Sequence, residues 1–322
     1  MSARLPLPLH PGDTIAIIPT ARAIEAQELE GGIALAESWG SRVRLGAGVG
    51  RKHFQQAGTA AERQADLQAA IDDPSVRAIW CARGGYGTVH LMTGLDLSPL
   101  KRDPKWIVGF SDITVLHNAL HRIGVASLHA QMPFNIAGKS EASKDTLRKA
   151  LFGEAYEVIS SERQAGSVPT EAAADNPLLA ANRIGECEGV LIGGNLSLLY
   201  ALRGTPYDID PRGKILFLED LDELLYHMDR MVMNLRLAGW FQGLAGLVVG
   251  GMTDMHDKNP LDPFGRSAEE IIRSATEGTT YPICFGFPAG HIDDNRALVM
   301  GQKAKLSVTA HGATLSFGNA VG

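Results

Sequence analysis

Cysteine is scarce in this chain of 322 residues: Cys81, Cys187 and Cys284 are odd in number and far apart. That excludes a disulfide framework or a cysteine-rich zinc site and leaves reduced thiols, as in a cytoplasm. No apolar run approaches the roughly 18 residues of a membrane span. The stretch Met1 to His10 lacks the basic region, apolar region and small-residue cleavage site of an export signal, so an unexported, cytoplasmic protein is expected. A basic excess is also missing. With 30 Lys and Arg against 36 Asp and Glu, the formal charge is −6, the wrong sign for neutralising nucleic-acid phosphates. Neither nucleic acid nor membrane is expected as a partner. What is there is a globular mixture, 45% hydrophobic and 20% charged, long enough for two domains or one large α/β domain with insertions.

The first half alternates apolar runs with helical patterns. Thr14 to Ile18, Arg42 to Leu45, Val76 to Trp80 and Trp106 to Gly109 read as strands. Ile24 to Trp39, stopped by Gly40, reads as a helix; Thr59 to Ile71 reads as another, with Glu62 completing a capping box. This alternation implies right-handed βαβ units and a parallel sheet covered on both faces. Around Ala155 to Glu186 the pattern dissolves into small and polar residues, with Gly166 and Pro169, as in a connection between domains. Beyond it, Gly189 to Ile192, Lys214 to Leu218 and Leu247 to Val249 read as strands, and Lys305 to Phe317 as a closing hairpin. Asp222 to Leu237 reads as a helix whose Leu224, Met228, Met231 and Leu235 form one stripe, better explained by core packing than by a cofactor. The expected division is an α/β domain over 1–160, a linker over 161–186 and a second domain over 187–322.

Four segments carry chemistry. Ser111 lies between the strand ending at Gly109 and the helix that follows, where a sharp turn lifts a hydroxyl clear of a sheet. A nucleophile and a plain helix N-cap are both open readings there, and Ile113 replaces the second glycine of a Gly-x-Ser-x-Gly elbow. Arg83-Gly84-Gly85-Tyr86-Gly87 follows an apolar strand; it lacks the spacing of a phosphate loop and suits an oxyanion hole or carboxylate nest, with a simple turn as the bland alternative. Glu219 ends a strongly apolar strand and is placed to orient a histidine, whereas Asp222 and Glu223 are read as charging the N-terminus of the next helix. His291 sits in the loop Phe285-Gly-Phe-Pro-Ala-Gly-His291 and is preferred as base over His256, whose neighbours Asp254 and Asp257 read as a solvated loop rather than a metal site. Cys81 is read as a buried strand-end thiol rather than a nucleophile.

Together with Pro11-Gly-Asp-Thr-Ile-Ala16, Gly193-Gly-Asn-Leu196 and Leu218-Glu-Asp220, these segments resemble, in order and over nearly the whole chain, the LD-carboxypeptidases. That serine peptidase family also contains the microcin C7 self-immunity peptidases. The resemblance implies a Rossmann-like N-terminal domain, similar to class I glutamine amidotransferases, and a smaller mixed β/α domain. It implies Ser111 as nucleophile, His291 as base, Glu219 as its orienter, and an oxyanion hole from the amides of Asp112 and Gly85. Arg83, Gly84 and Tyr86 are expected to help hold a small peptide substrate, with Arg83 and the glycine-loop amides as candidates for binding its terminal carboxylate. It further implies a homodimer, no cofactor and no metal, and release of D-Ala from a murein tetrapeptide in peptidoglycan recycling. The chain departs from the family in Pro19-Thr-Ala-Arg-Ala23, which lacks a serine-rich character, and in Glu223-Leu-Leu-Tyr-His227. The alternatives are a self-immunity peptidase acting on a peptidyl- or aminoacyl-nucleotide, with Trp240 as a candidate stacking surface, and a non-catalytic peptide binder. A metallohydrolase using Asp254, His256 and Asp257 is more distant.

Overall fold

Runs of branched and apolar residues form two sheets in the computed structural model, which describes residues 2–161 and 181–318. The first sheet contains β1 (Thr14–Ile18), β2 (Arg42–Leu45), β3 (Val76–Cys81), β4 (Trp106–Gly109) and β5 (Ser127–His129). These pair in parallel in the order β2-β1-β3-β4-β5. Side chains alternate across it with the period of two that a strand imposes. Ile15, Ile17 and Trp80 face one core, while Ala16, Ile18 and Ile79 face another that includes Leu67 and Ile71 of the helix Ala60–Asp72. That helix starts as its sequence requires, with Thr59 and Glu62 forming a reciprocal capping box.

The second sheet is built from β6 (Tyr156–Ser161), β7 (Gly185–Asn195), β8 (Ile215–Leu221), β9 (Gly246–Thr253) and β10 (Ile283–Cys284). The short β11 (Leu298–Met300) precedes the hairpin of β12 (Lys303–Thr309) and β13 (Gly312–Phe317). Its order is β10-β9-β8-β7-β12-β13-β6, parallel from β10 to β7 and antiparallel from β7 to β6. The sheets exchange strands: β6 pairs with β13, and β11 crosses back to pair antiparallel with β5. One hydrophobic core therefore runs from Trp106 and Leu128 of the first sheet to Phe217, Val248 and Phe287 beside the second. Each fully buried side chain of this size is worth about 1.5–3 kcal/mol against its exposed state, so the cleft between the sheets rests on a shared, packed wall. Most of the expected linker, including Gly166 and Pro169, lies outside the described residues.

Two helices begin later than their apolar patterns suggest. The segment expected as one helix from Ile24 is a turn of 3-10 helix, Ala26–Leu29, followed by Glu30–Ser38. The helix expected from Asp222 starts at Leu225, because Asp222 takes a left-handed backbone with φ of +54° and donates its N–H to the carbonyl of Thr253. Asp222 and Glu223 thus directly precede the helix rather than lie within it, and Glu223 Oε1 accepts from the amide of the N-cap residue Leu224. The Met228–Met231–Leu235 stripe is fully buried against the core. Among the described residues no helix is long and apolar enough to cross a membrane.

Candidate active site

Ser111 sits at a strained corner. Phe110 is extended and Ser111 has φ of +63°, a left-handed conformation that costs a non-glycine residue about 1–2 kcal/mol. Beyond it run a 3-10 turn, Ser111–Ile113, and the helix Thr114–Arg122. Ile113 is accommodated because Gly109 has no side chain: a Cβ there would stand 2.7 Å from Ile113 Cγ1. One helical turn on, His117 Nε2–H donates to the Gly109 carbonyl at 3.0 Å, and its Nδ1 accepts from the Ser127 hydroxyl at 2.8 Å. Burial pushes His117 down to about 4, so it holds the strand end as a neutral ring. The Ser111 side chain caps nothing; its hydroxyl donates instead to His291 Nε2 at 3.0 Å.

Glu219 is aimed by an irregularity between β8 and β9. Leu218 pairs with Val249 and Asp220 with Met252, so Glu219 alone stands opposite Gly250 and Gly251. Such bulges turn a side chain at a functional edge. The same glycines admit the His291 loop: Gly251 N–H donates to the Ala289 carbonyl at 2.9 Å, and a Cβ on Gly250 would lie 2.3 Å from that oxygen. Gly290, with φ of +104°, brings the loop against Glu219, whose Cβ would be 2.7 Å from any side chain added there. Asn295 and Thr253 fix the loop through the Gly290 amide and the His291 carbonyl.

His291 Nδ1–H then donates to Glu219 Oε2 at 2.6 Å. The carboxylate is 0% exposed, and its other oxygen has no donor among the described residues. Removing His291 would strand a buried charge, a loss of about 3–5 kcal/mol. Burial acts most strongly on His291 and lowers its pKa. The charge and hydrogen bond of Glu219, helped by Asp220, outweigh that and hold the imidazole above its ordinary value. Such a chain of carboxylate, imidazole and hydroxyl can take the hydroxyl proton and return it to a leaving group.

The glycine loop faces this hydroxyl. A Cβ on Gly84 would lie 3.5 Å from Ser111 Oγ, and among the described residues no acceptor engages the N–H of Gly85 or of Asp112. Asp112 itself is buried and accepts from the Thr88 amide, fixing the two loops to each other. Ser111, His291, Arg83, Gly84 and Gly85 line one cavity of about 520 Å³. Tyr86 does not; it is half exposed and packs edge-on to His90.

The cavity also holds residues that local sequence did not single out. Asp220, buried beside Glu219, accepts from Asn195 Nδ2, the Ser197 amide and hydroxyl, and the Leu221 amide; burial and then the Glu219 charge hold its carboxyl above its ordinary value. The Gly-Gly-Asn run was the visible signal here, since Gly194 lets Thr114 Oγ1 meet the Asn195 amide at 2.9 Å, joining the Ser111 helix to β7. Arg22 and Lys139 come from separate loops, and nothing local to either places it at this cavity. Cys81 is fully buried and burial pushes its thiol up to about 12, so it is inert at neutral pH. Trp240 is buried in the core beneath β8 and is not on the cavity. His256 turns its Nδ1 to the Asp254 carbonyl, and Asp257 accepts from the Phe264 amide, so the three do not converge.

Comparison with known proteins identifies the family to which the fold belongs. Residues 15–130 match the LD-carboxypeptidase N-terminal domain and residues 188–306 the LD-carboxypeptidase C-terminal domain. A probable murein peptide carboxypeptidase of Bacillus subtilis (strain 168) is 33% identical over 97% of this chain and 94% of its own. The crystal structure of muramoyltetrapeptide carboxypeptidase from Oxalobacter formigenes superposes with a TM-score of 0.79 at 27% identity, covering 95% of this chain and 99% of that one. The microcin C7 self-immunity protein MccF, in complex with glutamyl sulfamoyl guanosine, shares the fold with a TM-score of 0.81 at 20% identity, over 98% and 99% of the two chains. With both family domains matched in order, this chain belongs to the LD-carboxypeptidase family.

Proposed function

We propose that the protein is a serine carboxypeptidase that releases the terminal D-residue, D-Ala, from a murein tetrapeptide. The observation that carries this reading is the hydrogen-bonded chain Glu219–His291–Ser111 opening into the cavity. Ser111 Oγ attacks the scissile carbonyl while His291 Nε2 takes its proton. The amides of Gly85 and Asp112 receive the developing oxyanion, and the positive end of the helix behind Ser111 adds to that field. The tetrahedral intermediate collapses as the imidazolium gives its proton to the departing amine. Water, deprotonated by His291, then clears the acyl-enzyme, and Ser111 recovers its proton.

In this reading Glu219 keeps the imidazole in the tautomer with Nδ1–H and stabilises the imidazolium. The nucleophile comes from the stretch 1–160 and the acid and base from 187–322, so catalysis sits at the seam of the two halves. Peptidoglycan recycling in the cytoplasm by a homodimer fits the family relationship and is part of the same proposal. Mass spectrometry of the tetrapeptide incubated with wild type and Ser111→Ala tests it. Loss of D-Ala with wild type alone is expected; cleavage by both proteins overturns the nucleophile, and cleavage by neither overturns the substrate.

A further inference from the structure

Arg22 belongs to the turn after β1, the stretch in which this chain departs from its family's serine-rich pattern. Its side chain is exposed, lines the cavity that holds Ser111 and His291, and has no hydrogen-bond or ion-pair partner among the described residues. It is also closely seated. The stem lies flat on the glycine loop, where a Cβ on Gly85 would come within 2.3 Å of Arg22 Cδ and 2.4 Å of Cγ. Gly85 has φ of +111°, so backbone conformation and close approach both demand glycine here. The adjacent Gly84 lies against the nucleophile: a Cβ there would stand 3.4 Å from Ser111 Cβ and 3.5 Å from its Oγ. Nucleophile and arginine stem thus rest on consecutive residues of one loop, about 3.8 Å apart at Cα, the span of one amino-acid residue.

Arg83, the other arginine of the loop, is differently employed. Its guanidinium lies 4.1 Å over the Phe134 ring, donates to the Ala23 carbonyl at 3.3 Å and faces Glu28 at 3.8 Å. It is close enough to Arg22 for the two positive charges to act on one another. Two guanidiniums at one end of a cavity, one committed to protein groups and one not, make a site for an anion. A planar carboxylate matches the fork of the uncommitted one.

We propose that Arg22 binds the terminal carboxylate of the peptide, one residue beyond the carbonyl that Ser111 attacks, and so limits cleavage to the last residue. The proposal rests on the serine carboxypeptidase reading and adds the group that makes the enzyme an exopeptidase. Arg83 supports it through its field and by holding the loop.

The test compares the murein tetrapeptide as free acid and as C-terminal amide, both by cleavage and by calorimetric binding to Ser111→Ala protein. The expected result is a preference for the acid of about 10- to 100-fold, as for a charge-assisted bidentate pair. Adding Arg22→Gln should lower affinity for the acid to that for the amide, and Arg22→Lys should restore part of the difference. Equal binding of acid and amide, or a preference that survives Arg22→Gln, overturns the role of Arg22 even if the tetrapeptide is cleaved. Acid-selective binding that depends on Arg22 without cleavage would instead sink the hydrolase reading and leave the carboxylate site standing. Failure of both peptides to bind overturns both.

Discussion

Nε2 of His291 stands 3.0 Å from Oγ of Ser111, although 180 residues separate them in sequence. The contact is made at a cost, because Ser111 holds a left-handed backbone to present its hydroxyl. Two substitutions separate function from this strain. Ser111→Ala and Ser111→Gly both lose the hydroxyl, and both should lose about 10⁴- to 10⁶-fold in kcat. Only glycine also relieves the backbone, so Ser111→Gly should be more stable than Ser111→Ala by about 1 kcal/mol. Urea unfolding of the pair measures this; equal midpoints would mean that the corner stores no strain.

Glu219→Gln tests what holds the imidazole up. His291 is kept above its ordinary value by the Glu219 charge and hydrogen bond, against a burial effect of the opposite sign. In the proposed mechanism the neutral ring is the base, so the acid limb of kcat/KM should lie above about pH 6.5 in the wild type. With the carboxylate gone, burial prevails, the limb moves to lower pH, and kcat/KM falls about 10²- to 10⁴-fold. A limb that stays in place would assign it to another group.

The same raised pKa sets a stability window. A histidine held above its unfolded value contributes stability that is fully present below about pH 6.5 and is lost as pH rises through the folded value. Wild type should therefore exceed Glu219→Gln in stability by more at pH 6 than at pH 9. Denaturant midpoints at the two pH values decide it; a gap that widens with pH contradicts the coupling.

What sequence revealed follows from what local physics encodes. Continuous apolar runs such as Ile215 to Leu218 identified buried strands, and Gly and Pro around His291 identified a shaped loop at a strand end. Ser111 could be placed at a turn, but its left-handed backbone could not be read past Ile113, since the compensating space at Gly109 depends on packing across the turn. Strand partners were likewise hidden: nothing in Tyr156–Ser161 or Leu298–Met300 states which sheet it joins, because alternation fixes faces and not neighbours. Arg22 and Lys139 reach the cavity from loops far apart in the chain, and only the tertiary fold brings them to one site.

Gly290→Ala examines the seat of the base. A methyl group there would meet Glu219 Cβ at 2.7 Å and Oε2 at 2.8 Å, and φ of +104° disfavours any side chain. Loop and carboxylate must part, so kcat should fall at least about 10²-fold with a stability loss of about 1–3 kcal/mol. Kinetics on the folded fraction, with circular dichroism as control, would reveal an unperturbed site if this packing were slack.

Gly84→Ala asks a different question, because here the fold can tolerate the methyl group. Its Cβ would meet Met132 Cε at 3.3 Å, the movable end of a flexible side chain, and Ser111 Cβ and Oγ at 3.4 and 3.5 Å. Stability should change by no more than about 0.5–1 kcal/mol. In the proposed mechanism the methyl group would nevertheless occupy the approach to the hydroxyl, on the side of the Gly85 amide, and exclude the substrate carbonyl rather than disturb the Glu219–His291 pair. Reaction of Ser111 with a small fluorophosphonate and hydrolysis of the tetrapeptide should therefore diverge, the peptide losing about 10-fold more than the small reagent, as expected when a misplacement near 1 Å bears on the larger substrate. Equal losses would place the damage in the His291–Ser111 contact itself, and no loss would remove the glycine loop from the path of the substrate.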